Sequence, residues 1–194
     1  MSVVVALKDN DKIIVGIDIR TVNRNGPYFD SYKARPKAFH FDEDKTVIGA
    51  GVGNAGLLDV LQLVYENHKK DKDIIDRRYV VKYFVPELIQ MAHKRNYTID
   101  NGLDGALLLL IKDKGFVIGS NCVVLELDEY HAMGCGDTAA LASLYTSKDY
   151  YAKPINRVIK AIKTAAFLDN NVSSCVFIGS TAGEPFSFCH SKIK

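Results

Sequence analysis

The order of elements written in the sequence predicts an α+β fold, a four-layer αββα sandwich of two antiparallel sheets flanked by helix pairs. Two observations predict it. The hydrophobic period changes in blocks: strand-like to about residue 53, helical to about 94, strand-like to about 133, helical to about 168, then a closing strand. Blocks of strands and blocks of helices, in place of strict alternation, point to antiparallel pairing with segregated helices. The second observation is turn chemistry. Asp9-Asn10-Asp11 and Asp113-Lys114-Gly115 each separate two short apolar runs, as tight hairpin turns do.

Taken in order, Val3 to Leu7 reads as a strand and Ile13 to Ile17 as its hairpin partner. Residues 20 to 36 carry Asn23, Asn25, Gly26, Pro27 and Pro36 and read as an irregular excursion. Lys37 to Phe41 and Lys45 to Ala50 are short strands around the Asp42-Glu43-Asp44 turn. From Asn54 to about His68, Leu57, Leu58, Leu61, Val64 and Tyr65 recur at helical spacing. A second helix spans about Arg78 to Lys94, with Val81, Phe84, Val85, Leu88, Ile89 and Ala92 on its apolar stripe. Pro86 inside that stripe kinks the helix or starts a new one.

Gly105 to Ile111 is apolar throughout, as in a strand buried on both faces, and Phe116 to Ile118 runs back beside it. Cys122 to Leu127 and Tyr130 to Met133 read as a further strand pair. Asp137, after Gly134-Cys135-Gly136, reads as the N-cap of a helix to about Ser147. Pro154 opens the last helix, to about Leu168, with Ile155, Val158, Ile159, Ile162 and Ala166 on its core face. Ser174 to Gly179 closes the pattern. With no repeat, low-complexity tract or linker, residues 1–194 read as one domain.

Bulk properties exclude several classes of function. A composition 47% hydrophobic and 25% charged, with net charge +2, argues against nucleic acid or an acidic membrane as partner. No apolar run is long enough to span a bilayer, and no signal-peptide pattern opens the chain. Cys122, Cys135, Cys175 and Cys189 form no C-x-x-C pair, and the five histidines show no metal spacing. The expectation is a cytoplasmic protein with reduced thiols, no metal and no cofactor. Cys135, between two glycines at a helix start, is a thiol that the helix dipole would acidify, or simply a small turn residue. Gly49 to Gly56 matches a dinucleotide loop only loosely, because no βαβ order surrounds it.

Ser2 stands directly behind Met1 and directly before the first strand. Removal of Met1 would give one residue a hydroxyl nucleophile and a free α-amine able to take its proton. Met-Ser is also a common way for a chain to begin. Four further stretches resemble the proteasome β-subunit family, including the HslV-like peptidases, across nearly the whole chain. Ser2-Val-Val-Val-Ala-Leu to Val15-Gly-Ile-Asp18-Ile-Arg20 resembles the family's N-terminal hairpin, with its aspartate sixteen residues after the nucleophile and an arginine two later. Lys37-Ala-Phe-His-Phe resembles the strand carrying the family's lysine. Val47-Ile-Gly-Ala-Gly51-Val-Gly-Asn-Ala resembles its glycine turn into the first helix. Gly134-Cys-Gly-Asp137 resembles the G-S-G-S or G-S-G-G turn before a later helix.

The resemblance implies a proteasome-like N-terminal nucleophile hydrolase that cleaves peptide or amide bonds, and it assigns roles. Ser2 attacks the carbonyl, with its amine or a relayed water as base. Lys37 favours the ionised hydroxyl by its charge, or is itself the base if desolvated. Asp18 orients Lys37, Gly51 offers its N–H to the oxyanion, and Asp169 supports the terminal amine. Arg20, Asp137 and Ser173 are supporting residues, and Gly49 and Gly53 leave a roomy pocket. The sequence also departs from the family. Serine replaces the usual threonine, Lys37 follows Asp18 by nineteen residues with Lys33 as a rival, and Val172 stands where Asp-x-x-Ser places a serine. Implied partners are a peptide or protein substrate, a homo-oligomeric ring and an unfoldase, the last with no residue pointing to it. Singly, each residue also has a structural reading: Asp18 and Arg20 a surface pair, Lys37 an exposed lysine, Gly51 a helix-entry glycine. The alternative function is a catalytically inactive subunit with a structural or binding role.

Overall fold

Valine and isoleucine on either side of a two-residue turn fold back on one another because branched side chains fit a pleated, buried surface. In the computed structural model, which describes residues 2–22, 28–30, 36–150 and 153–189, that hairpin is β1 (Val3–Asp9) and β2 (Lys12–Asp18). Its turn is Asn10-Asp11, with Asn10 at φ 56°, a left-handed conformation that asparagine tolerates. A small hairpin of β3 (Arg20–Val22) and β4 (Tyr28–Asp30) follows. Residues 23–27 and 31–35, and Lys33 with them, lie outside the described residues.

Next come β5 (Ala38–His40), β6 (Val47–Gly53) and α1 (Gly56–His68). A 3₁₀ turn (Lys69–Asp71), α2 (Arg77–Tyr79), a π turn (Val80–Phe84) and α3 (Val85–Lys94) complete the first helical layer. The second block is β7 (Thr98–Ile99), β8 (Gly102–Leu103), β9 (Gly105–Ile111), β10 (Lys114–Ile118), β11 (Val124–Glu126) and β12 (Tyr130–Gly134). Then come α4 (Asp137–Thr146), α5 (Pro154–Leu168), β13 (Val176–Ser180) and β14 (Ser187–Cys189).

Two five-stranded antiparallel sheets result, ordered β12-β1-β2-β13-β14 and β11-β10-β9-β6-β5. Strand alternation then makes the layers. Leu107, Leu109 and Ile111 of β9 face α1 and α3, while Leu108 and Leu110 face the other sheet. This is why Gly105 to Ile111 reads as apolar throughout. On β1, Val3, Val5 and Leu7 pack under α4 and α5, and Val4 and Ala6 enter the inter-sheet layer. Gly16 lets α5 approach the sheet, since a Cβ there would come within 2.5 Å of Val158 Cγ1. The predicted αββα sandwich is the observed one.

Several local expectations are corrected. Residues 122–127 and 130–133 do not pair with each other: β11 joins β10 in one sheet and β12 joins β1 in the other, so the chain crosses between layers at Asp128-Glu129. Val81 is 45% exposed and Val80 takes its place in the core. The π turn before Pro86 holds an extra residue, which rotates the stripe off the 3.6-residue period. Ile155 at the first turn of α5 is exposed. The turn after β9 is Lys112-Asp113, with Lys112 at φ 54° and Lys114 already in β10. The β7-β8 hairpin and β14 carry too little periodicity to be read in advance.

Candidate active site

Strand register gathers the motif residues at one end of the sandwich. Val3 is opposite Gly134, Asp18 opposite Val176 and Ala38 opposite Ala50. Lys37 precedes β5 and Gly51 lies near the end of β6, so both fall at that same end. The two sheets touch there, because a Cβ on Gly134 would lie 3.3 Å from Val52 Cγ1.

Asp18 ends β2 with no exposed surface, and a carboxylate so buried must be paired. Four donors converge on it. Oδ1 accepts Lys37 Nζ at 2.6 Å and the Val3 N–H at 2.9 Å. Oδ2 accepts the N–H groups of Arg20 and Ser173, both at 3.1 Å. The Lys37 side chain is 14% exposed, so the ion pair is largely out of water and the three amides satisfy the remaining lone pairs. These donors come from the start of β1, the residues after β2, the approach to β5 and the segment after α5. Asp18 is therefore the point at which four separate stretches are tied together.

Ser2 lies one residue from that tie and is 6% exposed. Its carbonyl is packed against Gly134, where a Cβ would come within 2.1 Å of the oxygen and where φ is +110°; only glycine fits both constraints. Cys135 Sγ donates to the same carbonyl at 3.5 Å. Cys135 is exposed, yet partial burial first and the neighbouring Asp169 carboxylate second push its thiol up. Of the two readings of Cys135, an acidified thiol or a small turn residue, this shift runs against the first.

Asp169 caps the end of α5. Its carboxyl is held below the usual range by the Cys135 thiol and by Asn171, whose N–H and side-chain amide both reach Oδ1 at 2.8 Å. The Arg20 guanidinium donates to the carbonyl of Asn170, so Arg20 joins the 169–173 segment, and it is its amide that meets Asp18.

Other assignments fare differently. The Gly51 N–H donates to the Lys37 carbonyl at 2.9 Å, closing the β5-β6 ladder, so it is not free to meet an oxyanion. Gly49 leaves no roomy pocket, because the Phe41 ring fills the place a Cβ would take, 1.9 Å away. Gly53 is at φ +95° with the Asp104 carbonyl 2.4 Å from a would-be Cβ; it serves a close backbone approach. Gly136, and not Asp137, is the N-cap of α4. Asp137 accepts from Thr138 Oγ1 at 3.0 Å and makes no bond to the Asp18 cluster among the described residues. Ser173 meets Asp18 through its N–H and accepts the Cys175 N–H at 3.2 Å on its hydroxyl. Val172 turns the other way, 2% exposed in the core beside Gly136. The sequence pointed to segment 169–174 but gave no sign of the parts taken by Asn170 and Asn171, whose contributions are a backbone carbonyl and a local turn. Among the described residues no group of three or more His, Cys, Asp or Glu could hold a metal, and no helix is long and apolar enough to cross a membrane.

No protein-family model matches the chain, and no curated protein matches it. Solved structures do match its fold. Eukaryotic HslV from Trypanosoma brucei superposes with a TM-score of 0.71 at 16% identity, over 92% of this chain and 98% of that one. Thiobacillus denitrificans BPH in complex with epoxomicin gives 0.69 at 15% identity, over 92% and 97%. Another structure of Thiobacillus denitrificans BPH gives 0.68 at 16% identity, over 92% and 96%. The chain has the HslV and proteasome-type fold.

Proposed function

We propose that this chain, built on the HslV and proteasome-type fold, is an N-terminal nucleophile hydrolase that cleaves peptide or amide bonds with Ser2 as nucleophile after Met1 is removed. The observation that carries the reading is the buried Asp18 carboxylate. It binds Lys37 Nζ on the very oxygen that receives the amide of Val3, and so holds a cation beside the residue that would react.

Chemically, the Ser2 α-amine is the base for its own hydroxyl, and the Lys37 ammonium favours the developing alkoxide. Asp18 fixes the ammonium in place. Asp169 supports the amine from the other side, its carboxylate kept ionised by Cys135 and Asn171. With the Gly51 N–H engaged, the oxyanion falls to amides opening α4, which follow the Gly134–Gly136 turn packed on Ser2. Serine has more rotamer freedom than threonine, so the contacts around residue 2 carry more of the orienting burden. By likeness to the T. brucei HslV and T. denitrificans BPH folds, we extend the reading to a homo-oligomeric ring, with an unfolded protein or peptide as substrate and an unfoldase as its supplier.

The test is intact mass of the protein from its own host, followed by turnover of short peptide amides. The expected result is a chain starting at Ser2 whose activity Ser2→Ala abolishes. Retention of Met1 throughout the population would sink the Ser2 mechanism. The second reading, a subunit that scaffolds or binds without turnover, is favoured by one specific observation, the engaged Gly51 N–H; Met1 retention with an intact ring would support it. The ring is read by sedimentation, where a monomer would remove that part of the proposal.

A further inference from the structure

We propose that His68 is the imidazolium at the centre of a charged clasp on the outer helical layer, and that loss of its second ring proton loosens segment 69–84. The clasp stands apart from the hydrolase reading. It holds the helices that cover the β11-β10-β9-β6-β5 sheet, and makes their packing respond to pH.

Four side chains from four elements form one line. Asp71, which closes the 3₁₀ turn, has Oδ2 2.8 Å from the Tyr79 hydroxyl at the end of α2. That hydroxyl is 2.8 Å from Nδ1 of His68, the last residue of α1. His68 Nε2 in turn is 2.9 Å from Glu87 Oε2 on α3, and the other Glu87 oxygen accepts from Asn67 Nδ2. The imidazole stands edge-on to Tyr79 and packs on Phe84 of the π turn, with ring centroids 5.5 Å apart in each pair. Its side chain is 16% exposed, so little water is at hand to replace a lost partner. Other charged groups stay outside the line. Lys82 lies over the Tyr83 ring that packs on Tyr79. Glu66 of α1, and Lys69 and Lys70 of the 3₁₀ turn, are exposed and bond none of the four side chains among the described residues. On α3 the next titratable groups, His93 and Lys94, lie more than a turn beyond Glu87.

Counting protons assigns the charge. Each of the three contacts needs one proton between its two heavy atoms. The two carboxylates, ionised, supply none, and the phenol, whose pKa is pushed up to about 12, supplies one. The imidazole must supply two, which makes it the cation. A proton on Glu87 would also complete the count, but an imidazole is ordinarily a stronger base than a carboxylate by about two pH units. The place favours a cation as well, because His68 ends α1, where the last carbonyls of a helix attract positive charge. A neutral ring leaves two protons for three contacts. With the proton on Nε2, the Tyr79 hydroxyl serves Asp71 or Nδ1 and not both; with it on Nδ1, Nε2 faces the Glu87 carboxylate with no proton between them. One link joining α1 to the 3₁₀ turn, α2 or α3 is therefore present while the ring is charged and lost as pH rises through its titration.

The test follows the His68 ring nitrogens by NMR, and amide hydrogen exchange beside them, from about pH 6 upward. It uses the full chain as wild type, Glu87→Gln and Tyr79→Phe, and needs no turnover. In wild type both ring nitrogens are expected to carry protons at the acid end. As the ring loses one, exchange in segment 69–84, corrected for its intrinsic pH dependence, should quicken about tenfold relative to β9. Glu87→Gln is the discriminating variant. Its carboxamide donates to Nε2 and still accepts from Asn67, so a neutral ring now completes all three contacts. That variant should keep slow exchange across the whole range. Tyr79→Phe leaves only the Glu87 contact, which a neutral ring with its proton on Nε2 satisfies, so exchange should be fast and indifferent to the ring. A wild-type ring already neutral at the acid end with the segment protected, or exchange that does not follow the ring, would overturn the proposal. So would a response of wild-type size in Glu87→Gln. Should Glu87→Gln loosen β9 as well, Tyr79→Phe decides, and a wild-type response there ends the proposal.

Discussion

Lys37 and Val3 donate to one oxygen, Oδ1 of Asp18, at 2.6 and 2.9 Å. A cation from the approach to β5 and a peptide N–H from the start of β1 are thus fixed relative to each other through a carboxylate that water does not reach. This places a positive charge within a few bonds of Ser2 irrespective of what Lys37 does in a reaction. It also makes the site part of the fold, because the atoms that would orient catalysis join the two sheets.

Lys37→Met keeps the stem and removes the charge. Asp18 would retain three amide donors, so we expect a loss of about 1–3 kcal/mol in urea unfolding, below the usual penalty for breaking a buried ion pair. Turnover should fall by about a hundredfold or more, since the charge beside the nucleophile is gone. A folded Lys37→Met protein with undiminished turnover would remove Lys37 from the mechanism.

Gly134→Ala tests how tightly residue 2 is held. The new Cβ would meet the Ser2 carbonyl at 2.1 Å, at a φ of +110° that alanine resists. The strain alone costs about 1–3 kcal/mol, and relief requires β1 to move at its first residue. Reduced stability together with lost activity is expected in denaturant melts and peptide assays. A variant as stable as wild type would show that the turn has room the structure does not give it.

What the sequence disclosed and what it hid divide along physical lines. Layering was legible because it follows from periodicity: Leu107 to Ile111 announces two-sided burial without any knowledge of partners. Asp18, Lys37 and Ser173 were singled out as residues, but only the folded chain shows that Ser173 and Arg20 meet Asp18 through backbone N–H groups, which carry no sequence signal. Gly51 was misassigned because spacing cannot tell which carbonyl an amide will meet; here the Lys37 carbonyl claimed it. Val81 was misplaced by a π turn, whose extra residue breaks the helical period. The pairing of β11 and β12 failed for a similar reason, since proximity in sequence favours a hairpin and the layers demanded a crossing.

The alkaline limb of stability should report Tyr79. Its hydroxyl donates to Asp71 Oδ2 at 2.8 Å, and its pKa is raised from 10.0 to about 12, by desolvation first and the Asp71 bond second. Tyr65 is raised to about 12 as well, chiefly by burial. The unfolded tyrosine ionises first, so the folded state binds more protons between pH 10.0 and about 12 and stability falls as pH rises through that window. Tyr79→Phe should flatten part of this decline in melts across the range, and the double variant with Tyr65→Phe more of it. A decline of unchanged slope in both would show that neither phenol is coupled to folding.

Asp169 gives the opposite sign at the acid end. Its folded pKa is depressed below 3.8 by the Cys135 and Asn171 bonds, so its contribution to stability is present above that value and is lost as pH falls through the folded pKa. Asp169→Asn should therefore differ from wild type in stability at neutral pH, and the gap should close in acid. The control is Asp73→Asn, whose lowered carboxyl pKa arises from Lys112 on the exposed surface and so responds to salt as well as pH. A gap at Asp169 that persists unchanged to low pH would mean the carboxylate charge is not what the Cys135 and Asn171 contacts recognise.

Val172→Ser asks whether a hydroxyl at the position matching the family's serine would strengthen the site. The structure argues that it would not. Val172 is 2% exposed, packed in the layer of Val3, Ala140 and Ala165 beneath α5, with a methyl 3.0 Å from where a Cβ on Gly136 would stand. Serine there removes two methyl groups from the core and introduces a hydroxyl among apolar neighbours. We expect a loss of about 1–3 kcal/mol in chemical unfolding and no gain in turnover. Ser173 already occupies the polar side of this turn, with its N–H on Asp18 and its hydroxyl accepting from Cys175, so a second serine has no vacant polar position to fill. Higher activity in Val172→Ser would show that this segment rotates to present residue 172 to Ser2, and that the arrangement around Ser173 is not the working one.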